Sequence, residues 1–244
     1  MYCLGTGAGR TEEHLIPRSL GGRATLRDAV CEPCRRLTGR LEQLTLERDF
    51  AVPRTLLALK RRRARGQGPA RLPAVALEGA GDAALTPATF PRGFWLPAFE
   101  PAGLLAGVDR TAAPPRTALV ACHLNLGSPT RPAVAAATPP ADAAAYAHAI
   151  AKWAYALAVA QGGLQAGDSQ ALRDLLLGRR DDVFTFVGSA TAPASAVAAG
   201  WLHDYALHEV GPWRVVTLAL FASAGMTPYQ VVVGRTAAST AASA

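Results

Sequence analysis

The sequence has no unbroken apolar run approaching the 18 or so residues that span a bilayer, and no apolar leader at its start. Those absences predict a soluble, cytoplasmic protein with no membrane partner. Aromatics make up only 7% of the 244 residues, so the 50% hydrophobic share, swollen by alanine, overstates the core. Their scarcity also argues against an extended base-stacking surface. There are only four cysteines, and two of them, Cys31 and Cys34, form one Cys-x-x-Cys. That arrangement argues for a metal in a reducing compartment. Cys122 lies alone in an apolar run and reads as a buried core residue.

Acidic residues are scarce in one part only. Residues 1–71 hold 15 Lys and Arg against 7 Asp and Glu, whereas residues 72–244 hold 10 against 11. A compact basic segment attracts phosphate and releases counterions on binding, the first footprint of a nucleic-acid partner. The run Lys60, Arg61, Arg62, Arg63 fits that reading, and fits equally a solvated basic linker.

The specific chemistry also lies near the beginning. The two residues between Cys31 and Cys34 let both sulfurs face one zinc from a tight turn. A structural zinc takes four protein ligands, and the partner pair falls on Cys3 and, three residues on, Thr6, a poor ligand. Between the two stands Glu13-His14-Leu15-Ile16-Pro17, followed by Leu20-Gly21-Gly22. With Gly39 five residues beyond the second knuckle, these residues resemble an HNH endonuclease. More narrowly, they resemble the branch whose ββα-metal motif is braced by two zinc knuckles. The resemblance covers residues 3–49, about a fifth of the chain.

The resemblance implies phosphodiester hydrolysis with one divalent cation, Mg2+ or Mn2+, beside a structural Zn2+. It makes His14 the general base and Glu13 a metal ligand, with Cys3, Cys31 and Cys34 on the zinc. A histidine titrates near neutral pH, and a hard carboxylate suits such a cation. Neighbours on a strand point to opposite sides, so Glu13 and His14 reach one centre only if the chain bends there. Arg18, Arg35 and Arg36 are the expected phosphate contacts, on DNA in preference to RNA. Three positions depart from the pattern. Arg35 stands where the family places a helix ligand, and guanidinium binds no cation. The middle asparagine has no counterpart before Asn125, leaving Asp28 or Glu42 as substitutes, and Thr6 weakens the first knuckle. Two function classes follow: an HNH-type endonuclease, or a non-catalytic nucleic-acid-binding or interaction module on a decayed HNH scaffold.

In chain order, residues 1–30 read as a hairpin, and residues 32–50 as a helix with Leu37, Leu41 and Leu44 as its core stripe. Residues 66–92 read as linker, with one short strand at 74–77. Strands follow at 94–99 and 117–126, divided by turn-rich sequence. A long helix runs from Asp142, its N-cap, to Gln161, burying Tyr146, Ile150, Trp153 and Leu157. His148 and Lys152 share another face and read as a surface pair. A helix at 169–177, a strand at 183–187 and a meander over 201–234 complete the pattern. His203, Asp204 and His208 offer a second metal set, but strand geometry turns His203 away from both, so the default is partly exposed strand residues. The expected class is α+β: an HNH-like zinc module at 1–65, a linker at 66–92, and an α+β domain at 93–235. That domain has an antiparallel sheet covered by a helix. Residues 236–244 read as a disordered tail.

Overall fold

The structure is a computed structural model. It describes residues 1–5, 9–59, 72–76, 83–85, 93–112, 114–123, 134–135, 142–162, 164, 168–190, 202–224 and 226–236. Strand β1 (Arg10–His14) pairs antiparallel with β2 (Thr25–Cys31), with a bulge between Thr11 and Glu13. The connection is set by its glycines. Pro17 leads into a 3-10 turn, Arg18–Leu20, which Gly21 ends at φ 92°. A Cβ on Gly22 would lie 1.9 Å from the Ile16 carbonyl oxygen, so only glycine fits this return.

Helix α1 (Glu32–Arg48) starts directly after β2, with Pro33 in its first turn where a missing N–H costs no hydrogen bond. Its inward face is not the leucine stripe. Cys34, Thr38, Thr45 and, beyond its end, Asp49 are buried, while Leu37 and Leu44 are 48% and 44% exposed. The threonines are accommodated because their hydroxyls have acceptors: Thr38 donates to the Cys34 carbonyl at 3.0 Å and Thr45 to that of Ala145 at 3.3 Å. A short α2 (Ala51–Leu56) follows.

Beyond it come β3 (Leu72–Ala76), β4 (Ala83–Leu85), β5 (Gly93–Phe99), α3 (Gly103–Ala106), β6 (Thr117–His123) and β7 (Val134–Ala135). Strands β4, β3 and β7 pair in that order and β5 pairs with β6, all antiparallel. The segment expected to be linker thus contains two strands, β3 and β4, and β7 lies in a stretch read as irregular. Helix α4 (Ala143–Ala160) is capped as expected: the Asp142 carboxylate accepts from the Ala145 N–H at 3.0 Å. The remaining elements are α5 (Gln170–Leu176), α6 (Val183–Phe186), β8 (Val187–Ser189), β9 (His203–Val210), β10 (Trp213–Leu220) and β11 (Tyr229–Arg235). The strand expected at 183–187 is therefore a helical turn for most of its length. Val183 and Phe186, three apart, both bury their side chains, and the Arg180 guanidinium lies over the Phe186 ring. Packing overrides the β-propensity of the run.

Strands β8, β11, β10 and β9 form one antiparallel sheet in that order, and α4 packs across it. The class is α+β. Among the described residues no helix is long and apolar enough to cross a membrane. The two parts expected to be separate domains share one hydrophobic cluster. Phe50, just after α1, stacks on Tyr146 of α4 and packs against Trp153 and Phe221, and Tyr2 meets Tyr155. Of the tail expected at 236–244, Thr236 is buried and its N–H donates to the Pro212 carbonyl at 3.0 Å, while residues 237–244 lie outside the described residues.

Because Phe50 is fully buried where the N-terminal elements, α4 and the sheet meet, Phe50→Ala should cost about 3–5 kcal/mol. Urea unfolding followed by far-UV dichroism and by tryptophan fluorescence should give coincident transitions in both proteins. Separate transitions in the wild type would mean that the shared core does not fold cooperatively.

Candidate metal centre and the Glu13–His14 segment

Two sites grow out of the β1–β2–α1 unit. At the junction of β2 and α1, the sulfurs of Cys3, Cys31 and Cys34 lie within 4.8 Å of one another, with Cys3 and Cys31 at 3.6 Å. Zinc–sulfur bonds of about 2.3 Å at tetrahedral angles separate sulfurs by roughly 3.8 Å, so the thiols fit a zinc corner with little movement. Their acidities diverge. A hydrogen bond from the Gly5 backbone, then one from Cys31, brings exposed Cys3 down to about 7. Burial, reinforced by the neighbouring thiols, pushes Cys34 up to about 12. Cys3 is thus the more acidic thiol of the cluster and Cys34 the less acidic. Thr6 lies outside the described residues.

The second site is the Glu13–His14 segment. Glu13 pairs with Leu26 and His14 with Thr25 in regular register, the bulge falling before Glu13. No bend separates the two side chains, and they diverge. Glu13 is buried, and its carboxylate forms a 3.0 Å ion pair with Lys152 of α4 and accepts from the Tyr2 hydroxyl at 3.4 Å. Lys152 also holds Glu42 of α1 at 2.7 Å, and the Trp153 indole N–H donates to the same Glu42 carboxylate. Burial alone would lower the Lys152 ammonium, but the charges and hydrogen bonds of Glu42 and Glu13 outweigh it and hold its pKa above the ordinary value.

His14 instead lines a cleft of about 680 Å³ with Glu12, Arg18, Arg23 and Leu59. Its Nδ1 is buried and has no hydrogen-bond partner among the described residues. Asp28 is exposed at φ 49°, its carbonyl accepting from Arg10. Among the described residues the three cysteines are the only group of three or more potential ligands close enough for one metal, so Glu13, His14 and Asp28 do not share a centre. Glu42 is the residue that does approach Glu13, through the ammonium. Arg35 and Arg36 are exposed, both paired with Glu32, while Lys60, Arg61, Arg62 and Arg63 lie outside the described residues.

The reading of the His148–Lys152 pair changes, while His203, Asp204 and His208 are the partly exposed strand residues expected. Lys152 is buried and doubly paired, not half of a surface pair with His148, which contacts the Ala144 carbonyl through Nδ1. His203 bridges two segments: its Nδ1 accepts from the Phe221 N–H at 3.3 Å while Nε2 donates to the Leu20 carbonyl at 2.8 Å. Burial lowers its pKa, which suits this neutral role. The sequence signal for Lys152 was its place on the same helix as the buried tyrosine and tryptophan. No family model, curated protein or solved structure matches the chain at a significant level.

Removing Lys152 alone leaves two carboxylates facing each other without their shared cation. Lys152→Met is expected to cost about 3–5 kcal/mol in denaturant unfolding. The triple variant Lys152→Met, Glu13→Gln, Glu42→Gln should recover most of that loss, and equal destabilisation of both proteins would contradict the charge account. Because the Cys3 thiol is exposed and brought down to about 7 while burial pushes Cys34 up, iodoacetamide should modify Cys3 well before Cys34, as read by peptide mass spectrometry. Excess zinc should suppress that modification, less effectively as pH falls from 8 to 6 and protons compete for the sulfurs. Identical labelling with and without zinc would exclude a zinc centre at these thiols.

Proposed function

We propose that the chain is a non-catalytic nucleic-acid-binding module built on a zinc-braced HNH-type scaffold. The observation that carries this reading is the Glu13–Lys152–Glu42 triad. The carboxylate that the HNH resemblance would assign to a divalent cation is satisfied by an internal ammonium, away from the His14 cleft. Binding is supported by the arginines: Arg18 and Arg23 line that cleft, and Arg35, Arg36 and Arg40 lie along α1. Exposed arginines on a rigid frame suit phosphate contacts. Zn2+ would be the structural metal, held by Cys3, Cys31 and Cys34. A cytoplasmic location belongs to the same reading, since free thiols at a metal corner suit a reducing compartment.

A second reading is an HNH-type endonuclease using Mg2+ or Mn2+. It is favoured by one observation, the placement of His14 in an open cleft beside Glu12, Arg18 and Arg23. Here His14 would take a proton from water while the cation, held from the Glu12 side, stabilised charge on the phosphate. Against it stands Nδ1, which has no partner among the described residues, because a general base needs its second nitrogen engaged to fix its tautomer and orientation.

Purified, zinc-loaded protein should bind duplex DNA with an affinity that falls steeply between 50 and 200 mM salt. It should leave supercoiled plasmid and single-stranded DNA uncut with Mg2+ or Mn2+. Cutting that disappears with EDTA and in His14→Ala would overturn the non-catalytic reading in favour of the endonuclease.

A further inference from the structure

Helix α1 carries Gly39 in its third turn, although glycine is the weakest helix former after proline. Packing inside the chain does not call for it. Among the described residues, a Cβ built on Gly39 would meet nothing within 4 Å. A missing side chain at a half-buried position of the helix, with no described atom where its Cβ would stand, fits a body that approaches the helix from outside.

The residues around Gly39 indicate what that body is. Arg36, Arg40, Gln43 and Glu47 recur at spacings of four, three and four, so they lie in one row along the helix. All four are exposed, and the row is opposite the buried Cys34, Thr38 and Thr45. A hollow of about 460 Å³ opens over Gly39 between Arg35, Arg36, Arg40, Gln43, Leu44 and Glu47. Arginine, glutamine and glutamate are the side chains that read guanine, adenine and cytosine edges in a major groove, and exposed Leu37 and Leu44 beside the row are suited to thymine methyls. From Arg36 to Glu47 the helix rises about 16 Å, the length of four to five base pairs. In the free protein Arg36 is paired with Glu32, and Gln43 donates to Glu47, both at the surface where such pairs exchange readily.

We propose that α1 docks its Gly39 face in the major groove of duplex DNA, with Arg36, Arg40 and Gln43 against base edges and Glu47 at the end of the row. The inference rests on the nucleic-acid-binding reading and adds to it the groove, the reading residues and sequence preference. B-form DNA is the occupant because its major groove admits a helix, whereas that of A-form RNA is too narrow for side chains to read. Burial of the opposite face of α1 against α4 holds the row rigid.

The test is selection of bound duplexes from a random-sequence pool by the full-length, zinc-loaded protein, followed by titration of the enriched duplex with variants. The expected result is a preferred sequence of four to five base pairs that contains guanine. Arg40→Ala should weaken that duplex by about 5- to 100-fold, and Gln43→Ala should relax preference at one position. Gly39→Leu should weaken binding at least tenfold, while Gly39→Ala raises the melting temperature by about 2–4 °C. Those paired readouts separate a blocked groove from a damaged fold. If DNA is bound but neither Gly39→Leu nor Arg40→Ala changes affinity, the docking proposal is wrong and the binding reading stands. If the wild type binds no duplex at low salt, both fall.

Discussion

The arrangement of this protein depends on one buried cation. Lys152 stands between Glu13 of β1 and Glu42 of α1, so a single ammonium ties the hairpin, the first helix and the long central helix together. The choice of lysine is informative in a chain with only two lysines, at 60 and 152, among 25 basic residues. An ammonium is a compact point charge on a slim stem that can donate in several directions, whereas a planar guanidinium presents a wider fork. Two carboxylates converging from different elements are better matched by the former. Buried ions need full hydrogen bonding, and the neighbouring Trp153 indole and Tyr2 hydroxyl supply additional donors.

The N-terminal unit is therefore held at two places. At one end the three cysteines meet where β2 passes into α1, and at the other the ion triad and Phe50 fasten the unit to α4. His203 adds a third tie by joining the turn at Leu20 to the sheet. A ββα unit this small has little core of its own, and its largest buried groups, Tyr2 and Phe50, find their partners in α4. That is why residues 1–59 do not form a separately cored domain, although the change in charge near residue 71 suggests one. Charge balance reports on partners and solubility, and a shared core leaves no mark in it.

Periodicity revealed which elements exist better than it revealed which way they face. The hairpin, α1, the capped α4 and the final meander are all legible, because each has punctuation: Pro33, Asp142, Gly162, Gly211. The face of α1 is not. Leu37, Leu41 and Leu44 make the more obvious stripe, yet burial follows Cys34, Thr38 and Thr45, whose small side chains let α4 approach closely. Threonine hydroxyls satisfied by backbone carbonyls behave as core residues, and a hydropathy pattern cannot anticipate those acceptors. Cys31 and Cys34 were legible because their spacing is local, and Cys3, 28 positions before Cys31, entered through the resemblance to a second knuckle. Lys152 was not legible, because its partners lie 110 and 139 positions away along the chain.

The Glu13-to-Gly22 motif shows how a signature can be structural and chemical at once. Pro17 opens the 3-10 turn, Gly21 takes a left-handed conformation, and Gly22 lets the chain pass within contact of Ile16. Each of these residues is required by the return of the hairpin, whatever chemistry takes place there. The motif therefore cannot by itself separate a nuclease from a binding module. What the structure adds is the direction of the two side chains at its start. Regular pairing at Glu13 and His14 sends one inward to an ammonium and the other outward to an arginine-lined cleft. The irregularity lies before Glu13, with its extra residues on β2, so Glu13 and His14 keep the alternation of a regular strand and the carboxylate faces away from the cleft.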